Sequence, residues 1–218
     1  MPDWIVHLTR EEERYRDGEA RLPEAADPDS RQRQLTRLGN AAGGAGLALL
    51  MAGRQAEAAA WFERAAARYR ESYELAPPGS WGRPIGAIKA HVLAEDWSAA
   101  EDDARWALAE GAADAESPIG RYAGALALLV LGRDEDARPV ASSIRERDDF
   151  PHDVADALAT LAATDRLGYV YAIESVLESF ETRDEYLEDM PVADTVIVLQ
   201  RLAERRGIAA ELESALLP

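Results

Sequence analysis

The chain has 218 residues and 47% apolar side chains, enough for one domain with a sizeable core or one repeat array with a terminal extension. Its net charge of −17, from 41 acidic and 24 basic residues, weighs against nucleic acid and against an anionic membrane surface as partners. It has no cysteine, which excludes disulfides, thiolate catalysis and thiolate metal sites.

Taken in chain order, residues 9–20 read as a short helix, with Thr9-x-x-Glu12 as a capping box that satisfies free N–H groups at its start. Met1 to Arg21 is charged throughout and has no signal-peptide apolar stretch, so a cytoplasmic location is expected. Residues 22–31 carry Pro23, Pro28 and Ser30 and read as a linker. Beyond them, three segments look alike: Leu47 to Ala58, Lys89 to Ala100, and Leu126 to Ala137. Each is an apolar helix end, a short turn, and an acid-containing stretch with Ala five residues past the turn. The turn positions, 53, 95 and 132, are 42 and 37 residues apart, which is the spacing of two-helix repeats.

Each segment predicts a helical hairpin. The first helix ends at Gly53 or Gly132, where glycine tolerates the left-handed conformation that closes a helix. The helix after Gly53 has an apolar stripe of Ala58, Trp61, Phe62, Ala65, Tyr69 and Tyr73. In the second unit Ser98-x-x-Glu101 is the expected cap, and Ala100, Ala104, Ala107 and Leu108 line the helix. Pro77-Pro78-Gly79, the stretch Glu110 to Pro118, and Asp149-Phe150-Pro151 separate the hairpins. A fourth hairpin is expected over 151–164 and 167–187, the second helix facing inward through Val170, Ile173, Leu177 and Phe180. After Met190-Pro191, residues 192–206 form a helix on Val192, Val196, Leu199 and Leu202, and 208–217 a short last one. Thr195 to Leu199 has strand propensity but sits in a helical pattern. The expected organisation is an N-terminal helix and linker over 1–31 and a single helical-repeat domain over 32–218. The fold class is all-α, a right-handed superhelical stack of hairpins (an α-solenoid) with C-terminal capping helices.

The string Gly39-x-x-x-Gly43-Gly44-x-Gly46 is followed by no Gly-Lys-Ser/Thr and preceded by no strand. It therefore reads as close helix packing and not as a phosphate loop. His7, His91 and His152 are far apart and at no metal-ligand spacing. The clusters Glu101-Asp102-Asp103, Asp134-Glu135-Asp136 and Asp184-Glu185 read as solvated faces or first turns that suit the helix dipole. No catalytic residue, metal site or cofactor is expected. A carboxylate pair formed across hairpins stays open as an enzymatic alternative.

For binding, the inner face made by the first helices of the hairpins is expected to present Arg83, Lys89, Arg121 and Tyr122 to an acidic segment of a protein partner. Trp81 is either a staple holding its turn or a further contact residue. Ile208, Leu212, Leu216 and Leu217 on the last helix are candidates for a homodimer patch. Lys89 is the only lysine; every other basic residue is Arg. With abundant Asp, Glu and Ala, this composition resembles salt-accumulating halophiles, or else an acidic protein of a high-GC genome. In molar salt the Debye length is about 3 Å, so such a surface does not repel itself apart.

The stretches Leu47–Ala76 and Val92–Leu108 resemble tetratricopeptide-like hairpins, with irregular periods and the closing Pro present only at Pro77. A second resemblance spans more of the chain. It comprises the Ala/Gly-rich helix, the helix of 81–94 with the turn Ala94-Glu-Asp-Trp97, and the late block Ala172 to Phe180, Arg183 to Tyr186, Met190 to Leu199 and Leu202 to Gly207. This order is similar to the immunity protein 49 family. The resemblance implies an all-helical, non-catalytic protein that neutralises a toxin domain by binding it, with a general adaptor or assembly scaffold as the alternative.

Overall fold

The computed structural model describes residues 3–218, apart from the side chain of Leu187. The fold is all-helical, as expected, and no strand occurs among the described residues. The described residues form, in order, the α-helices α1 Trp4–Arg21, α2 Pro28–Met51, α3 Gln55–Leu75, α4 Gly82–Ala94, α5 Trp97–Ala109, α6 Pro118–Val130, α7 Asp134–Arg145, α8 His152–Ala162, α9 Arg166–Glu181 and α10 Asp194–Glu204. Among the described residues no helix is long and apolar enough to cross a membrane.

Four turns between successive helices close in one way, although at Glu95 the two helices, α4 and α5, belong to different compact units. Gly53, Glu95 and Gly132 all take positive φ, at 72°, 61° and 68°, and Thr164 takes 55° at the α8–α9 turn. In each, the next residue's N–H reaches back across the helix end: Arg54 to the Leu49 carbonyl at 2.9 Å, Asp96 to His91 at 3.0 Å, Arg133 to Leu128 at 2.9 Å and Asp165 to Thr160 at 3.0 Å. This is the Schellman closure, which satisfies carbonyls the helix leaves open. The three turn positions expected from the sequence share it, although Glu95 and Thr164 lack glycine's freedom there.

The chain divides into two compact units. The first runs to Asp96 and includes Glu185–Val192 and Pro218; the second comprises Trp97–Asp184 and Ala193–Leu217. The division expected at residue 31 is not where contacts thin out, because α1 packs along α2. Its N-terminus also differs from expectation. Asp3 caps the helix, its carboxylate accepting the Ile5 N–H at 3.1 Å, and Thr9 lies in the interior, donating to the Ile5 carbonyl at 2.9 Å. The Thr9 capping box is therefore absent. The segment expected to be a linker folds as a 3-10 turn at Leu22–Glu24 and then opens α2. There Asp27 accepts the Ser30 N–H at 2.9 Å and Pro28 takes the first helical position.

In the first unit α2 packs on α1 and α3, and α3 packs on α4. Glycines set the closeness. A Cβ on Gly46 would stand 2.6 Å from the Phe62 ring, and one on Gly44 would stand 2.9 Å from Glu11 Cγ. The Tyr69 ring is wedged between Gly39 and Gly86, where Cβ atoms would come within 2.7 and 2.6 Å. Close packing thus explains three of the four glycines in the string; Gly43 meets nothing within 4 Å.

The second unit runs α5 on α6, α6 on α7, α7 on α8 and α8 on α9, with α10 against α8 and α9. Helix α5 begins at Trp97, which places Ser98 inside the helix and not at its cap. Asp103, expected on a solvated face, is buried. Thr195 to Leu199 is helical within α10, as the pattern required. Residues 208–217 form no helix. Gly207, at φ 69°, ends α10, and the backbone then finds distant partners. The Gln200 side chain accepts the Ala210 N–H at 3.1 Å and donates to its carbonyl at 2.6 Å, while the Leu216 carbonyl accepts the Ala193 N–H at 3.0 Å. With Ile208 buried and no helix to align the others, Ile208, Leu212, Leu216 and Leu217 make no helical apolar face.

Candidate interaction surface

The five expected contact residues fall in different units. Trp81, Arg83 and Lys89 belong to the first, Arg121 and Tyr122 to the second. Trp81 immediately precedes α4 and is buried, so it packs as a staple. Arg83, in the first turn of α4, is half-buried. Its guanidinium donates to Gln32 Oε1 at 2.5 Å and to Ser72 Oγ at 3.3 Å. Ser72 in turn donates to the Gln32 carbonyl at 2.8 Å and pairs with the Thr36 hydroxyl at the same distance. Desolvation holds the Arg83 pKa below that of a free guanidinium, and its hydrogen-bond partners are neutral. Lys89 is half-buried on α4.

Arg121 donates from Nε to the Ala115 carbonyl at 2.9 Å. That bond fixes the segment before α6, which lies so close that a Cβ on Gly124 would fall 2.5 Å from Ala113 Cα. Tyr122 is buried, with its ring 5.5 Å from Phe150. Trp81 and Tyr122 thus contribute to packing, while Arg83 and Arg121 brace local structure with part of their surface still open.

The histidines do not converge with acids: among the described residues no group of three or more His, Asp or Glu side chains comes together as a metal site would require. His7 packs on Trp4 at 5.4 Å, and its Nδ1 is buried without a hydrogen-bond partner. Desolvation and the charge of Arg10 lower its pKa, outweighing Glu11, Asp3 and Asp189, so the ring is neutral at pH 7.

The most exposed apolar ridge lies elsewhere, on α9. Leu167 is 67% exposed and Tyr171 65%, one helical turn apart on the same face. Glu174 and Glu178, also exposed, continue that face toward the C-terminus. The opposite face is the core. Tyr169 is fully buried, with Ile173 and Val176, and donates its hydroxyl to Gln200 Oε1 at 3.2 Å. Burial pushes the Tyr169 phenol far up. Two tyrosines two residues apart therefore do opposite things: one locks the helix down, the other stands in solvent.

Leu167 and Tyr171 lie outside the sequence expectations. Their signal is phase. Val170, Ile173, Leu177 and Phe180 define the expected inward stripe, with Val170 only half-buried, and at 3.6 residues per turn Tyr171 falls on the far side of it and Leu167 at its flank. Comparison of the chain with protein-family models, with curated proteins and with solved structures gives no match in any of the three.

Proposed function

We propose that this is a non-catalytic, solenoid-like helical-repeat protein whose role is to bind another protein, and that the α9 ridge is its contact surface. The observation that carries this reading is the exposed Leu167–Tyr171 pair beside Glu174 and Glu178. Tyrosine anchors on a rigid helix are favoured hot spots, since they bury much area with little side-chain freedom to lose. The flanking carboxylates suit a partner that presents an apolar spot rimmed by basic side chains. What supports a repeat stack is the recurrence of the same left-handed closure at Gly53, Glu95, Gly132 and Thr164.

Within protein binding, the sharper reading is neutralisation of a toxin by occupying its surface. It rests on the resemblance of the block from Ala172 to Gly207 to the immunity protein 49 family; the ridge stands on the same helix that opens this block. The experiment is affinity capture from the native host at high salt, using wild type and a Leu167→Ala/Tyr171→Ala variant side by side. One stoichiometric protein retained by the wild type and weakened at least about tenfold by the variant is the expected result. Equal retention by both would remove the ridge as the contact.

A further inference from the structure

We propose that residues 185–189 form a latch that opens without unfolding the unit it closes upon. These residues follow α9 in the chain but belong to the first unit, lying against α1 and α2. Glu188 accepts the Asn40 Nδ2–H at 2.9 Å on one carboxylate oxygen and pairs with Arg14 through the other. Arg10 donates to the backbone carbonyls of Glu188 at 2.7 Å and Asp189 at 3.3 Å.

The floor beneath is built without the latch. Glu11 is fully buried over Gly44 and holds Arg10 at 2.8 Å and Arg14 at 3.1 Å. Asn40 is oriented by the Tyr69 hydroxyl, which donates to its Oδ1 at 2.9 Å and so leaves Nδ2 facing Glu188. Tyr69 itself is fixed between Gly39 and Gly86. These contacts persist when Glu188 leaves.

The latch, by contrast, is strained. Glu188 and Asp189 both take left-handed φ, 55° and 53°, where Glu is strained and Asp, though better tolerated, is still less favourable than Gly. Buried Met190 and Val192 anchor its C-terminal end and make a natural hinge. A strained segment whose Glu188 and backbone carbonyls are tied by charge-assisted bonds to a preformed floor is a candidate local opening unit. Opening uncovers Arg10, Arg14 and Asn40, three donors held in place by groups outside the latch.

The test is hydrogen–deuterium exchange of the full-length chain, comparing residues 185–189 with α2 and α3. The wild-type latch is expected to exchange well ahead of both helices. Glu188→Gln removes the charge that Arg14 and Asn40 hold and speeds exchange of the latch by about tenfold, with α2 and α3 unchanged. Asp189→Gly keeps the carbonyl that Arg10 uses, relieves the strain and slows exchange by about threefold. Should Glu188→Gln fail to fold, Asp189→Gly decides the matter alone. Latch amides that exchange only together with α2 and α3, or an Asp189→Gly variant no slower than wild type, would overturn the proposal.

Discussion

Two glycines three residues apart on α2 should respond to the same substitution with opposite sign. Gly43 has open space where a Cβ would go, while on Gly46 the Cβ would stand 2.6 Å from the Phe62 ring. Replacing helical Gly by Ala contributes about 0.5–1 kcal/mol through backbone entropy alone, so Gly43→Ala should stabilise by that amount. At Gly46 the same gain is present, but Phe62 is 1% exposed and has nowhere to move. Overpacking costs about 1–3 kcal/mol, and a Cβ 2.6 Å from a buried ring falls in the upper half of that range, leaving Gly46→Ala destabilised by roughly 1–2.5 kcal/mol. For a chain of this size each kcal/mol is worth about 2–4 °C in Tm. Thermal unfolding followed by circular dichroism should place Gly43→Ala above wild type and Gly46→Ala below it. Two variants that shift in the same direction would refute the close-packing account of the glycine string.

Other consequences follow from single residues. Thr164 is a β-branched residue at φ 55° with an exposed side chain, so Thr164→Gly should raise stability by about 1 kcal/mol, visible as a higher Tm. Asp134 accepts from Arg206 Nη2 at 2.5 Å and from the single Nε–H shared between its oxygens at 3.1 and 3.2 Å, and the Arg206 side chain is only 9% exposed. Asp134→Ala should therefore cost about 2–3 kcal/mol in urea unfolding, because it leaves a buried guanidinium short of its counter-charge. Burial pushes the Glu188 carboxyl up, but hydrogen bonds from Asn40 and Arg14 and the charges of Arg14 and Arg10 outweigh it, so its pKa lies below the ordinary 4.5. Neighbouring Glu11 and Asp189 are the acids on the same site. A carboxyl with a depressed pKa stabilises fully above its ordinary value and loses that contribution as pH falls through the depressed one. Amide exchange of residues 185–189, corrected for its intrinsic pH dependence, should thus accelerate relative to α2 as pH falls below 4.5 in wild type and vary much less with pH in Glu188→Gln.

Local chemistry made much of the fold legible in advance. Gly53 and Gly132 announce their turns, and the register they set places the third turn on Glu95, which adopts the same geometry without being glycine. The glycine string gave no loop because each of Gly39, Gly44 and Gly46 faces a large side chain from another helix. What escaped depends on distance in sequence. The last residues look helical by composition, yet Gln200 takes up both backbone groups of Ala210, and no helix forms there. The start of α1 turned on Asp3, whose cap lies upstream of the more conspicuous Thr9. Glu188 reads as one more acid in an acidic chain until its partners Arg14 and Asn40 are seen. Trp81 and Tyr122 have the composition of contact residues, but burial decides their role, and helix phase alone did not separate them from Tyr171.

The most direct test of the binding role is the dissociation constant of the captured partner for wild type and for Tyr171→Ala, measured by isothermal titration calorimetry at matched high salt. Tyr171 is exposed, so the substitution should leave Tm within about 1 °C. The account predicts an affinity at least tenfold weaker, the loss of about 1.4 kcal/mol or more that truncating an interface anchor brings. An unchanged dissociation constant with an intact fold would contradict it and remove α9 as the surface through which this protein acts.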